Sequence, residues 1–145
     1  MPNTTKLTVR YAETDQMGVV HHAVYPVWFE MARTDYIKAL GMSYAKMEED
    51  GVMLPVAAIS CKYLRPAKYD EEITVVARIT RLNAARIEFC YEAILPGGEV
   101  ACEGTSSHAF VDAGTFHPIN FKKRSPEFFE ILEKCAKEDM TENRE

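Results

Sequence analysis

His22-Ala23-Val24-Tyr25-Pro26-Val27-Trp28-Phe29-Glu30-Met31-Ala32-Arg33-Thr34-Asp35-Tyr36-Ile37-Lys38-Ala39-Leu40 contains no helix breaker after Pro26, and Gly41 ends the run. It predicts one helix of about five turns at 3.6 residues per turn. Pro26 is compatible with its first turn, where backbone N–H groups have no intrahelical partners. Val24 to Phe29 is apolar on every side, and charge enters mainly later, at Glu30, Arg33, Asp35 and Lys38. A helix that is apolar all round needs cover on several sides.

The flanking segments say what could provide that cover. Upstream, Leu7 to Tyr11 alternates as a short strand, and Ala12 to Val20, with Asp15 and Gly18, reads as a loop. Downstream, Ser43 is a plausible N-cap for a short helix over Tyr44 to Asp50, stopped by Gly51. Four strand-like segments follow: Val56 to Leu64, Glu72 to Leu82, Arg86 to Leu95 and Val100 to Asp112. Ile73, Val75, Ala77 and Ile79 fall on one face of their strand, and Ile87, Phe89, Tyr91 and Ala93 on one face of theirs. The gaps at Pro66 to Asp70, Asn83-Ala84 and Pro96-Gly97-Gly98 are too short for crossover helices, so neighbouring strands are expected to be antiparallel. Ser125-Pro126-Glu127 starts a final amphipathic helix running to about Asp139, with Met140 to Glu145 expected to fray. The order implies an α+β domain in which a strongly curved antiparallel sheet wraps one long helix. An apolar outer sheet face would call for a second copy of the chain.

The whole chain of 145 residues reads as one domain, long enough to bury roughly 68–70% of its unfolded surface. Hydrophobic residues at 47% and charged residues at 27% exclude a disordered chain, and a formal net charge of −5 argues against a general nucleic-acid binder. The first residues lack the features of a signal peptide, and no apolar run approaches the ~20 residues of a membrane helix. Cys61, Cys90, Cys102 and Cys135 form no C-x-x-C pair, which points to reduced core cysteines in a cytoplasmic protein rather than a zinc site. Adjacent His21 and His22 do not suggest a metal site either, since neighbouring residues rarely face one ion.

Chemistry concentrates in Glu13-Thr14-Asp15-Gln16-Met17-Gly18-Val19-Val20-His21-His22, a loop feeding the start of the long helix. A helix N-terminus offers unsatisfied N–H groups and partial positive charge, which suit a developing oxyanion. Asp15 could act as general base or nucleophile, and Gly18 would allow a tight turn or a close approach to ligand. His22 could donate through its side chain or its backbone N–H. Together these supply what acyl transfer requires.

Tyr11 to Tyr25, continued by Trp28-Phe29-Glu30-Met31-Ala32-Arg33, closely resembles the active-site signature of the 4-hydroxybenzoyl-CoA thioesterase-like hotdog family. Leu54-Pro55-Val56, Tyr63 to Ala67 and Tyr69-Asp70 extend the resemblance, which covers roughly residues 5 to 125. It implies the hotdog fold: a long central helix wrapped by a curved antiparallel sheet of about five strands. It also implies an acyl-CoA thioesterase that forms dimers or tetramers, with active sites at subunit interfaces. By the same resemblance Asp15 is the catalytic aspartate, and His22 stands where a backbone N–H polarises the thioester carbonyl. No cofactor is implied, because coenzyme A is part of the substrate. A non-catalytic acyl-thioester-binding module, and a thioesterase acting on acyl carrier protein, are the alternatives.

Substrate contacts are expected from Gly18, Val19, Tyr25, Glu30, Lys62 and Arg65. Tyr25, Trp28 and Phe29 could shape an aromatic pocket or a chain tunnel. Glu30 is either an acid near the site or the ion-pair partner of Arg33 or of an arginine on a strand. Lys62, Arg65 and Lys68, or Lys122-Lys123-Arg124, could meet CoA phosphates. Ser106 and Ser107 could bind the ligand or form a polar strand face, while His108 and His117 read as structural or exposed.

Overall fold

The computed structural model describes residues 3–142. In chain order it contains β1 (Asn3–Thr8), a 3-10 turn (Tyr11–Glu13), α1 (Tyr25–Ala39), α2 (Tyr44–Glu49), β2 (Val52–Met53), β3 (Val56–Tyr63) and β4 (Glu72–Leu82). Then follow β5 (Arg86–Ile94), β6 (Val100–Ala109), β7 (Val111–Asp112), α3 (Phe121–Arg124) and α4 (Pro126–Glu142). Strands β1-β4-β5-β6-β3 form an antiparallel sheet in that order, and β2 pairs with β7 in a small second sheet. This is the hotdog architecture, with α1 lying on the inner face of the five-stranded sheet.

The inner face follows from strand alternation. Ile73, Val75, Ala77 and Ile79 of β4, and Ile87, Phe89, Tyr91 and Ala93 of β5, are all buried. Tyr25, Trp28, Phe29, Ala32, Tyr36 and Ile37 of α1 close over them. Phe29 stacks on Tyr91 at 4.6 Å between ring centroids. Gly104 of β6 lies directly beneath: a Cβ there would press into the Phe29 ring and stand 2.9 Å from the Ser60 carbonyl oxygen. Glycine therefore sets how closely helix and sheet approach.

Several boundaries differ from the sequence expectation. The first strand is Asn3–Thr8 rather than Leu7 to Tyr11, because pairing with β4 in register extends it backwards. Helix α1 begins at Tyr25, not His22, because a turn closed by Val24 N–H on the His21 carbonyl (3.0 Å) precedes it. Strands β3 and β4 are successive but not neighbours, since β3 pairs with β6 and residues 64–71 cross the end of the sheet between them. The fourth strand-like segment divides at Phe110, whose N–H leaves the ladder for the Ala85 carbonyl. Helix α3 has no counterpart in the sequence reading; Asn120 caps it by accepting from the Lys123 N–H at 3.0 Å. Helix α4 continues to Glu142 because buried Asp139 and half-buried Met140 still face the core. The remainder of the expected frayed tail, 143–145, lies outside the described residues.

The helix is also not covered all round. Val27 is 51% and Met31 43% exposed. Across from them edge strand β3 leaves Val56, Ile59 and Tyr63 open, at 45–51% exposure. The outer faces of β4 and β5 are instead largely polar, through Thr74, Arg78, Thr80, Glu88 and Glu92. Apolar surface left uncovered within the chain thus concentrates along α1 and β3, not on the back of the sheet.

Candidate active site at the start of the central helix

Residues 14–20 fold back on themselves through a Thr14–Val20 bridge. The Asp15 N–H donates to the Val19 carbonyl at 2.9 Å, and the Gly18 N–H to the Asp15 carbonyl at 3.0 Å. Gly18 has φ +79°, the left-handed region where an L side chain is strained, so this turn requires glycine. Asp15 Oδ1 accepts the Met17 N–H at 2.8 Å and the Val19 N–H at 3.4 Å. One carboxylate oxygen is thereby pinned, while Oδ2 has no partner among the described residues. The 64–71 crossing carries this loop: Val20 N–H donates to the Ala67 carbonyl at 2.8 Å, and Val19 bridges Lys68.

Glu13 anchors the same loop to α1. It is buried, accepts Trp28 Nε1–H at 2.9 Å and the Arg10 N–H at 2.8 Å, and its carbonyl accepts the His21 N–H at 2.9 Å. Burial alone would raise its carboxyl pKa; the hydrogen bonds from the Arg10 backbone, Trp28 and the Arg10 side chain outweigh it and hold the value below normal. Sequence reasoning gave Glu13 no separate role. A carboxylate two residues before Asp15 looks solvated until its partner, fifteen residues away on the helix, is known.

The turn before α1 is held at both of its peptide planes. The His22 carbonyl accepts from Tyr63 Oη–H at 2.9 Å, and the Ala23 N–H donates to His21 Nδ1 at 3.0 Å, so the His22–Ala23 peptide is fixed at both ends. The His21 carbonyl is occupied by Val24 N–H. The His22 N–H has no partner among the described residues. It is a free main-chain donor on the peptide whose carbonyl, that of His21, is engaged by Val24.

Asp15, Val19, His22, Tyr25, Tyr63 and Arg65 line a single cleft of about 320 Å³. The structure thus brings together five of the eight residues singled out from the sequence. Gly18 shapes the turn and is not on the cleft wall. Lys62 lines a different depression, shared with Arg78 and Glu92. Glu30 is exposed and lines a third, with Arg33 and Tyr44. No Glu30–Arg33 ion pair within 4.0 Å is present among the described residues, because Arg33 turns inward, 6% exposed, and donates to the Tyr91 hydroxyl at 3.2 Å. Of the other basic cluster, Arg124 is engaged with Asp112 (3.2 Å) and the Gly51 carbonyl, and Lys122 sits over the Phe129 ring.

Ser106 is not on a solvated strand face. It is 2% exposed and lies 2.6 Å from the Tyr91 hydroxyl and 2.8 Å from His108 Nε2. His108 is equally buried, and burial together with the Arg33 charge pushes its pKa down to about 4. His117 is exposed.

The fold is that of the hotdog thioester hydrolases, and Asp15 and His22 line one cleft at the start of its central helix. The chain belongs to the thioesterase-like superfamily, whose sequence profile matches residues 9–134. It is 43% identical over 132 residues, 91% of this chain and 96% of the relative, to a Bacillus subtilis (strain 168) protein provisionally named acyl-CoA thioesterase YneP. It is 30% identical to the acyl-CoA thioesterase YbgC of Haemophilus influenzae, over 86% of this chain and 91% of that one. Among solved structures, the DHNA-CoA thioesterase of Staphylococcus aureus superposes with a TM-score of 0.88 at 36% identity, covering 92% of this chain and 89% of its own. Among the described residues, no helix is long and apolar enough to cross a membrane.

Proposed function

We propose that this protein hydrolyses an acyl-CoA thioester to a carboxylic acid and free coenzyme A. The observation that carries the reading is the cleft lined both by Asp15, with one oxygen pinned, and by His22, whose main-chain N–H has no partner among the described residues. The acyl-CoA names of YneP and YbgC support CoA as the carrier.

In this reading the thioester carbonyl oxygen accepts from the His22 N–H, which has no protein partner among the described residues. Asp15 Oδ2 takes a proton from an attacking water, or attacks the carbonyl carbon itself to give a mixed anhydride that water then opens. Either way the C–S bond breaks and the thiolate leaves; with a thiol pKa near about 8.5 it needs little help from an acid. Val19 and Tyr25 flank the reacting carbonyl, and Arg65, exposed at the cleft, meets a CoA phosphate. Lys62 and Glu30 lie in other depressions of the same protomer.

The functional unit is a homodimer or a larger homo-oligomer, closed over the open apolar side of α1 and β3 through Val27, Met31 and Ile59. All four cysteines are free, which fits a cytoplasmic setting. The deciding experiment is release of free thiol from short, long and aromatic acyl-CoAs by wild type and Asp15→Asn. Thiol release that Asp15→Asn lowers by about 10²-fold or more, the scale of a lost base or nucleophile, supports the reading. Wild-type turnover in a folded Asp15→Asn sample overturns it.

A further inference from the structure

A second cleft, of about 350 Å³, lies between α1, α2 and the turn joining β2 to β3. It shares no lining residue with the Asp15 cleft. Leu54, Pro55, Val56 and Phe116 give it apolar walls, and Arg33 is its one cation.

That arginine has an unusual environment. Its side chain is almost wholly buried, yet no carboxylate approaches within 4.0 Å among the described residues. Its protein partners are phenols: Tyr91, which accepts at 3.2 Å, and Tyr44. The hydrogen-bond chain behind it can be followed atom by atom. A guanidinium only donates, so the Tyr91 hydroxyl accepts from it; that hydroxyl lies 2.6 Å from Ser106 Oγ, which lies 2.8 Å from His108 Nε2. His108 Nδ1 is buried beside Leu54, a wall residue of the cleft. Burial keeps Tyr91 a phenol, its pKa pushed up to about 12. No member of the chain carries negative charge. The interior thus orients the Arg33 cation without neutralising it, and a desolvated cation left so favours an anion arriving from the cleft.

We propose that this cleft binds a small organic carboxylate, its charged end on the Arg33 guanidinium and its apolar body against Leu54, Pro55 and Phe116. The planar fork of arginine matches a carboxylate. The absence of a second cation from the wall, and the hydrocarbon lining, favour it over a phosphate. Glu30 and Glu48 also line the cleft and are exposed. They oppose an incoming anion and hold the affinity down.

The test is calorimetric titration of the full chain with benzoate, and with benzamide as the uncharged isostere. Wild type is expected to bind benzoate at least about 10-fold more tightly than benzamide, the scale of a charge-assisted pair. Arg33→Met is expected to abolish that preference, and Arg33→Lys to restore part of it. Glu48→Gln, at the exposed rim, is expected to fold normally and to tighten benzoate binding by about 3-fold through removal of an opposing charge. It keeps the proposal testable if Arg33→Met does not fold. Equal affinity for benzoate and benzamide, or a Glu48→Gln variant with unchanged benzoate affinity, would overturn it. So would loss of benzoate binding in Arg65→Gln, which would place the carboxylate in the Asp15 cleft instead.

Discussion

The hydroxyl of Tyr63, the last residue of edge strand β3, donates to the main-chain carbonyl of His22 at 2.9 Å. A strand thus fixes the peptide next to the proposed oxyanion donor. Tyr63→Phe removes only that hydroxyl and leaves the ring contact with Tyr25. Turnover is expected to fall about 10-fold, because the donor loses aim rather than identity, with KM and thermal stability little changed. A rise in KM at unchanged kcat would show that Tyr63 serves binding and not positioning.

His22→Ala keeps the main-chain N–H and is expected to cost about 10-fold or less in kcat. Proline at the same position deletes the N–H and is expected to cost far more, provided circular dichroism shows the fold retained. An alanine variant as impaired as Asp15→Asn would make the imidazole, not the backbone, the group that acts.

Glu13 predicts an acid-dependent stability. Its folded pKa lies below the ordinary value of 4.5, so its contribution is complete above that value and is lost as pH falls through the lowered one. Thermal melts of wild type should therefore weaken on acidification below about pH 4.5, and Glu13→Gln should weaken less over the same range. At neutral pH Glu13→Ala is expected to lose about 2–3 kcal/mol, since it strands the Trp28 indole N–H. Parallel acid limbs in wild type and Glu13→Gln would remove Glu13 from the explanation.

Gly104→Ala is expected to destabilise by about 1–3 kcal/mol, as for a methyl forced into a filled core. The added carbon meets the Phe29 ring and the Ser60 carbonyl oxygen, and the latter belongs to a strand that cannot withdraw without breaking its pairing with β6. A denaturation midpoint equal to wild type would mean that helix and sheet separate more easily than their packing suggests.

Light scattering at micromolar concentration is expected to give at least twice the chain mass of 16.5 kDa. Met31→Asp, on the open side of α1, is expected to lower it toward the monomer by placing a charge on an apolar contact. A wild-type mass of one chain would leave α1 and β3 without the cover proposed for them.

The order of elements was legible because strong local signals agree with it: Ser43 as a cap, Gly41 and Gly51 as stops, alternation through Ile73 to Ile79 and Ile87 to Ala93. Pairing was not. Nothing local in Val56 to Tyr63 says that its partner is β6 rather than the next strand along. The Asp15 loop was legible as a dense cluster of chemical residues. Its supports were not, because Glu13–Trp28 and Tyr63–His22 are contacts between residues 15 and 41 positions apart. The inward turn of Arg33 was hidden for a related reason. Three residues from Glu30, it looks like half of a surface pair, and only the sheet beneath shows that it faces inward.

The free N–H of His22 also bears on how such a site is inherited. A donor made of main chain is written into no single side chain, so almost any codon change at that position leaves it standing, proline apart. Its survival depends instead on the shape of the turn, which Tyr63 and His21 hold from outside. The hereditary exposure of the proposed reaction is therefore uneven. Asp15 can be erased by one base change, whereas the group across the cleft from it can drift through many residues and remain the same atom doing the same task.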